Sequence, residues 1–147
     1  MKIFVGADHG GFELKNQVRE HLAHKGYEVE DVGALTLDPD DDDVTYALLV
    51  ATKVLGEEDP AFGIMVCRSG AEMVMAANRV SGVRAAVAWS PAVARAAREH
   101  NDANVVALPA DFIDVDTALA VVDNFLEEKF SGKDRYIRRI KMLDDDF

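Results

Sequence analysis

Phe62-Gly63-Ile64-Met65-Val66-Cys67 is an unbroken apolar run, without charge and without polar–apolar alternation. A strand with one wet face alternates; a strand buried on both faces has no reason to. Such strands sit inside parallel sheets clothed by helices, and the flanking sequence fits that picture. Lys2–Ala7 (KIFVGA) is a second short apolar stretch, closed by Asp8-His9-Gly10-Gly11. Phe12, Leu14, Val18 and Leu22 follow at helical spacing, with Gly26 as the C-cap. Tyr27–Val32 reads as a strand, followed by the acidic loop Asp38–Asp43 and helical spacing over Tyr46–Leu55. Ser69-Gly70 opens a helix to Asn78, Val83–Trp89 is strand-like, and Ser90-Pro91 caps a helix to Glu99. Asn104–Leu108 is the fifth strand. Val115–Lys129 and Asp134–Leu143 are amphipathic helices. Alternating strands and helices predict an α/β fold: one Rossmann-like three-layer sandwich, a five-stranded parallel sheet with helices on both faces.

Composition bounds the function. The 147 residues imply one domain, residues 1–147, large enough to bury a core without staples. Sixteen Lys+Arg stand against 27 Asp+Glu, a net charge of −11, which repels nucleic acid. No apolar run approaches the roughly 20 residues of a membrane helix. Met1 leads straight into a strand-like stretch, so no signal peptide is expected. A single cysteine excludes a disulfide framework and any multi-cysteine metal centre, and points to a reducing, cytoplasmic compartment. A phosphatase loop would need Arg where Met73 stands; the dinucleotide and Walker glycine patterns are missing as well.

Chemistry-bearing residues gather at strand ends, where ligands bind in such folds. Cys67 ends the central strand just before a helix start, whose free N–H groups and dipole favour an anion and so a lowered thiol pKa. A buried structural thiol is the plainer alternative. His9 and His100 titrate near neutrality and are acid–base candidates, or else loop histidines bonded to backbone. His21 and His24 fall on the polar side of the first helix, where solvent is expected around them. A metal set of Asp8, His9, Cys67 and His100 lacks any close-spaced pair of ligands. Lys129, Lys133, Arg135, Arg138, Arg139 and Lys141 form a basic cluster. Arg135 and Arg139 share a helix face and can grip one phosphate, unless the cluster only balances Glu127, Glu128 and the Asp144–Asp146 tail. Asp40–Asp43 reads as a solvated loop, with one acid available to sugar hydroxyls. Together these features point to a small phosphorylated substrate handled without a cofactor.

Four segments in order carry a closer likeness: Gly6–Lys15 (GADHGGFELK), Cys67–Gly70 (CRSG) leading into Ala76-Ala77-Asn78, Arg98–Val105 (REHNDANV), and Arg135–Arg139 (RYIRR). With them the chain resembles the ribose-5-phosphate isomerase type B and galactose-6-phosphate isomerase family of sugar-phosphate isomerases. The resemblance implies aldose–ketose interconversion of a phosphorylated sugar through a cis-enediolate, with no metal or nucleotide cofactor. It makes Cys67 the base, Ser69 its aid at the substrate oxygens, and His100 the ring-opening group. Backbone N–H groups around Gly70 would hold the enediolate. Asp8 would bind sugar hydroxyls, Asn101 would lie beside the substrate, and His9, Arg135 and Arg139 would meet the phosphate. It further implies a homodimer or homotetramer with shared sites, the C-terminal helix (about 131–144) packing on a partner subunit. The chain departs from the family at Arg68 and Glu72, where glycine is usual, at Asp43-Val44 in place of Tyr-Pro, and at Asp111 in place of Arg. Arg68 and Glu72 thereby join the substrate-binding candidates. A catalytically silent sugar-phosphate binding or regulatory paralogue is the alternative those departures raise.

Overall fold

The computed structural model describes residues 1–145, so Asp146 of the acidic tail lies outside them. The run that begins the sequence argument is β3 (Ala61–Cys67), and it occupies the centre of the sheet. β1 (Lys2–Ala7) pairs with it on one side and β5 (Val105–Pro109) on the other, both parallel. β2 (Glu28–Gly33) flanks β1, and β4 (Ala85–Val87) flanks β5, giving the order β2-β1-β3-β5-β4. β4 is shorter than the seven-residue stretch 83–89 expected of it. It pairs on one side only, and an edge strand that short offers little template for unwanted pairing.

Pleating splits the side chains of each strand between two cores. Ile3, Val5, Ile64, Val66, Val106 and Leu108 meet α1 (Phe12–His24), α4 (Pro91–Asn101) and α5 (Val115–Glu127) on one face. Phe4, Met65, Cys67, Val105 and Ala107 meet α2 (Asp43–Gly56) and α3 (Ala71–Ala77) on the other. The three-layer α/β architecture is therefore the one expected. α6 (Asp134–Asp144) stands outside both cores, buries none of its residues, and touches α4. No helix among the described residues is long and apolar enough to cross a membrane.

Local signals account for most boundaries. Ser90 accepts the Val93 N–H with Pro91 in the first turn of α4, and Gly26 adopts φ +83° after α1. α2, however, starts at Asp43 rather than Tyr46, so the last acid of the run enters the helix with Asp42 as its N-cap. A carboxylate in the first turn suits the positive end of the helix. His21 is not solvated: its Nε2 lies 2.8 Å from Asp123 Oδ1 and ties α1 to α5. Lys15 is fully buried, its ammonium donating to Asp31 and to the Ala34 carbonyl, which fastens α1 to the loop after β2.

The β1–α1 turn presses onto the end of β3. The Gly11 N–H donates to the Asp8 carboxylate at 3.1 Å, and a Cβ at Gly11 would overlap the Val66 carbonyl. We therefore predict that Gly11→Ala destabilises the fold by about 1–3 kcal/mol, the usual cost of overpacking, read from the urea midpoint at unchanged m-value.

Candidate active site

The chain leaves β1 toward β2 on one side, whereas the strands after β3 build the other side, so the loops part above the β1/β3 pair. That divergence opens a crevice at the carboxyl ends of the strands. Its floor is a cleft of about 300 Å3. β1 delivers Asp8 and His9 to it, β3 delivers Cys67, and the turn into α3 delivers Arg68 and Ser69. Glu72 comes from α3, and Asp41–Asp43 from the start of α2 and the loop before it. The strand-end candidates Asp8, His9, Cys67, Arg68, Ser69 and Glu72 are thus brought together.

Cys67 lies 3% exposed against α2 and α3, and its Sγ accepts the Gly70 N–H at 3.1 Å. Gly70 adopts φ +78°, a left-handed conformation that turns this N–H back toward the sulfur. The expected lowering of the thiol pKa is not found. Burial pushes the thiol up, and the Asp43 and Asp8 charges add to it, against the Gly70 and Met73 N–H groups. The helix behind it has only seven residues, too little dipole to offset a desolvated sulfur among acids. Two N–H groups expected to face an enediolate are engaged within the turn: Gly70 on Cys67, and Ala71 on Ser69 Oγ at 3.3 Å.

The acid run is not simply solvated. Asp41 is folded onto His9, receiving its backbone N–H at 3.0 Å and its Nδ1 at 2.7 Å on the same oxygen, Oδ1. The Asp41 side chain is 6% exposed with Oδ2 sealed from solvent, and the Tyr46 phenol beside the carboxylate helps to hold it ionised. Nearby, burial and the Asp41 charge hold the Tyr46 phenol above its ordinary pKa. Burial works against the Asp41 carboxylate, yet the two bonds from His9 keep its pKa below normal. His9 is raised in turn, first by the Asp41 hydrogen bond. Asp43 is raised by burial, then by the charges of Glu72 and Asp8, and its carboxyl hydrogen-bonds with Glu72. Asp41 is the cleft acid that the sequence does not single out, since nothing local separates it from Asp40 or Asp42.

Asp8, His9 and Asp41 offer one ligand atom each within 4.8 Å. Oδ1 of Asp41 is already committed to His9 and Oδ2 is closed off, so the trio is a hydrogen-bonded pair beside a turn carboxylate, not an open coordination set.

His100, Asn101, Arg135 and Arg139 do not join this cleft. α4 returns antiparallel to the strands, so its last turn lies at the opposite rim of the sheet. There His100 stacks on Tyr136 with centroids 4.7 Å apart, and the Arg139 guanidinium sits 5.9 Å from the same ring. Arg135 is exposed on α6. Asn101 lines a separate hollow of about 490 Å3 with Arg84 and Leu143. Arg98 anchors that rim: buried against the Phe62 and Phe125 rings, it donates to Asp102 and to the Ala103 carbonyl, both at 2.7 Å. Arg68 pairs with Asp111 at 3.6 Å across the mouth of the cleft, and its stem lies against Gly10.

A family model described as Ribose/Galactose Isomerase matches residues 3–143. Ribose-5-phosphate isomerase B of Mycobacterium tuberculosis is 41% identical over 97% of this chain and 88% of its own length. The crystal structure of a ribose 5-phosphate isomerase from Thermotoga maritima matches with a TM-score of 0.92 and 43% identity, covering 97% of each chain. Ribose-5-phosphate isomerase B from Mycoplasma genitalium, solved with ribulose-5-phosphate bound, matches with a TM-score of 0.93 and 40% identity over 97% of this chain and 93% of that one. Sequence motifs, sheet order and full-length similarity converge, and the chain belongs to the ribose/galactose isomerase family.

Proposed function

We propose that this chain interconverts a phosphorylated aldose and its ketose, ribose 5-phosphate and ribulose 5-phosphate first among them, through a cis-enediolate held in the β1/β3 cleft. The observation that carries the reading is the gathering of Cys67, Ser69, Asp8 and His9 at one rim, in a family whose Mycoplasma genitalium relative binds ribulose-5-phosphate. In the forward direction Cys67 Sγ takes the C2 proton and returns it to C1. The C2 hydroxyl becomes the carbonyl as the C1 aldehyde becomes a hydroxyl, and the Ser69 hydroxyl attends the oxygen-bound proton. Asp8 holds sugar hydroxyls, and His9 and Arg68 meet the phosphate end. Solvent deuterium appearing at the carbon beside the carbonyl, across a panel of tetrose, pentose and hexose phosphates, tests the chemistry and ranks the substrates. Sugar phosphates that bind without exchange support instead a silent binding protein.

The cleft of one chain is too acidic for a dianionic phosphate: Asp8, Asp41, Asp42, Asp43 and Glu72 face only His9 and Arg68. A second copy supplies what is missing if its opposite rim, with His100, Asn101, Arg135 and Arg139, closes over the cleft. In support, α6 buries nothing in its own chain while exposing Ile137, Met142 and Leu143 beside those arginines. Mixed refolding of Cys67→Ala with Arg139→Ala subunits is then expected to regain turnover that neither variant has alone. Mixtures no more active than their parents would place both residues in one subunit's site.

A thiol raised by burial and by two acids is scarce as thiolate at neutral pH and strongly basic once formed. Cys67→Ala should lower kcat by at least about a hundredfold. The kcat/KM of the wild type should climb about tenfold per pH unit up to the thiol's raised pKa. A plateau already reached near neutrality would point to Glu72, hydrogen-bonded to the raised Asp43 carboxyl, as the base.

A further inference from the structure

We propose that Asp41 is the positioning residue of this site: its buried carboxylate clamps His9 and presents the ring to the cleft as a fixed cation for the substrate's phosphate. This rests on the assignment of His9 to phosphate made above.

The geometry is specific. One oxygen, Asp41 Oδ1, receives both the backbone N–H and the ring Nδ1 of the same residue, at 3.0 and 2.7 Å. The first bond fixes where His9 leaves β1 and the second fixes its side-chain torsions, so the ring cannot turn without breaking a charged contact. Nδ1–H pointed at a carboxylate sets the tautomer and leaves Nε2 for a ligand. The two exposures complement each other: Asp41 is 6% exposed and His9 29%, so the anion is hidden and the cation reaches solvent. A carboxylate with one oxygen sealed from solvent needs support to stay ionised; His9 is the positive group it touches, and the neutral Tyr46 phenol of α2 stands beside it.

The surrounding charges leave Asp41 in control. Asp8, from the end of β1, favours the imidazolium as Asp41 does, and Arg68, from the turn after β3, opposes it. Glu13 and Glu20 of α1 line the groove on the other side of the ring. Asp42, Asp43 and Glu72 stand farther round the cleft. Arg68 is largely exposed and already paired with Asp111, which weakens its pull on the ring. Exposed acids are screened by water; the buried one is not.

The test compares wild type, Asp41→Asn, Asp41→Glu and His9→Asn, after thermal unfolding has shown each to be folded. Asn keeps an oxygen for the His9 N–H and removes only the charge. Without substrate, the His9 ring followed by 15N NMR should titrate at lower pH in Asp41→Asn, and nearer to wild type in Asp41→Glu. With ribose 5-phosphate, the KM of Asp41→Asn relative to wild type should be close to one where both rings are protonated and grow to about tenfold as pH rises through the titration of the variant's ring, at little-changed kcat. Ionisation of the substrate phosphate cancels in that ratio. Adding Asp41→Asn to His9→Asn should change KM no further. An unmoved ring titration, a KM ratio flat with pH, or an equal loss in the His9→Asn background would each overturn the proposal. Wild-type KM in His9→Asn would instead remove the phosphate assignment beneath it, and the substrate-free titration tells that failure from failure of the clamp.

Discussion

β1 and β3 are parallel neighbours paired with Ala7 opposite Val66, so the next residues of each strand, Asp8 and Cys67, emerge side by side. Strand spacing alone places their backbones about 5 Å apart before any side chain is considered. That proximity survives only if the β1–α1 turn lies flat against β3, which is what the absence of a Cβ at Gly11 allows. The Asp8 carboxylate holds the turn closed through the Gly11 N–H, so one acid both faces the cleft and keeps the loop down. The geometry of the cleft and the stability of the fold are in this way the same packing problem.

The cleft that results is dominated by acids, and the consequences for its titratable groups run in opposite directions. Burial and nearby carboxylates raise Cys67, which makes its thiolate rarer and more basic. The same anionic surroundings raise His9, which makes its cation more persistent. An enediolate reaction on a phosphate ester asks for both: a strong base at carbon and a lasting positive charge several bonds away. Arg68 is the second positive charge at the mouth, where Asp111 holds it at 3.6 Å. Arg68 and Asp111, the two positions where the resemblance leads one to expect glycine and arginine, here hold an arginine and an acid that pair with each other.

Strand and helix identities were legible in the sequence because each rests on a short-range signal: the apolar run of β3, the Ser90-Pro91 cap, the helical spacing of Leu14, Val18 and Leu22. The lining of the cleft was legible where it coincides with strand ends and the turns after them, as for Asp8, His9, Cys67 and Ser69. It was not legible where it depends on chain returning from a distance. Asp41 and His9 are 32 positions apart, and no periodicity marks which acid of a run will be the buried one. His21 was misjudged for the same reason, since Asp123 sits 102 positions away on α5. The thiol's upward shift needed three dimensions too: helix-start donors are visible in sequence, but the depth of the sulfur and the closeness of Asp43 are not.

His100 illustrates the limit of local motifs most sharply. It belongs to a segment as distinctive as the one around Cys67, yet the polarity of α4 carries it to the far rim. Arg98 anchors that placement, because its buried guanidinium packs against both Phe62 and Phe125 and is bonded to Asp102, so shifting it would break a buried charged contact. The whole length of the parallel sheet separates the rim that carries His100 from the rim that carries Cys67. A role for His100 on a sugar bound at Cys67 therefore demands a second chain, whereas Asp41 and His9 act within their own. The His9–Asp41 pair is thus a matter of tertiary structure, whereas the proposed delivery of His100, Arg135 and Arg139 would be quaternary.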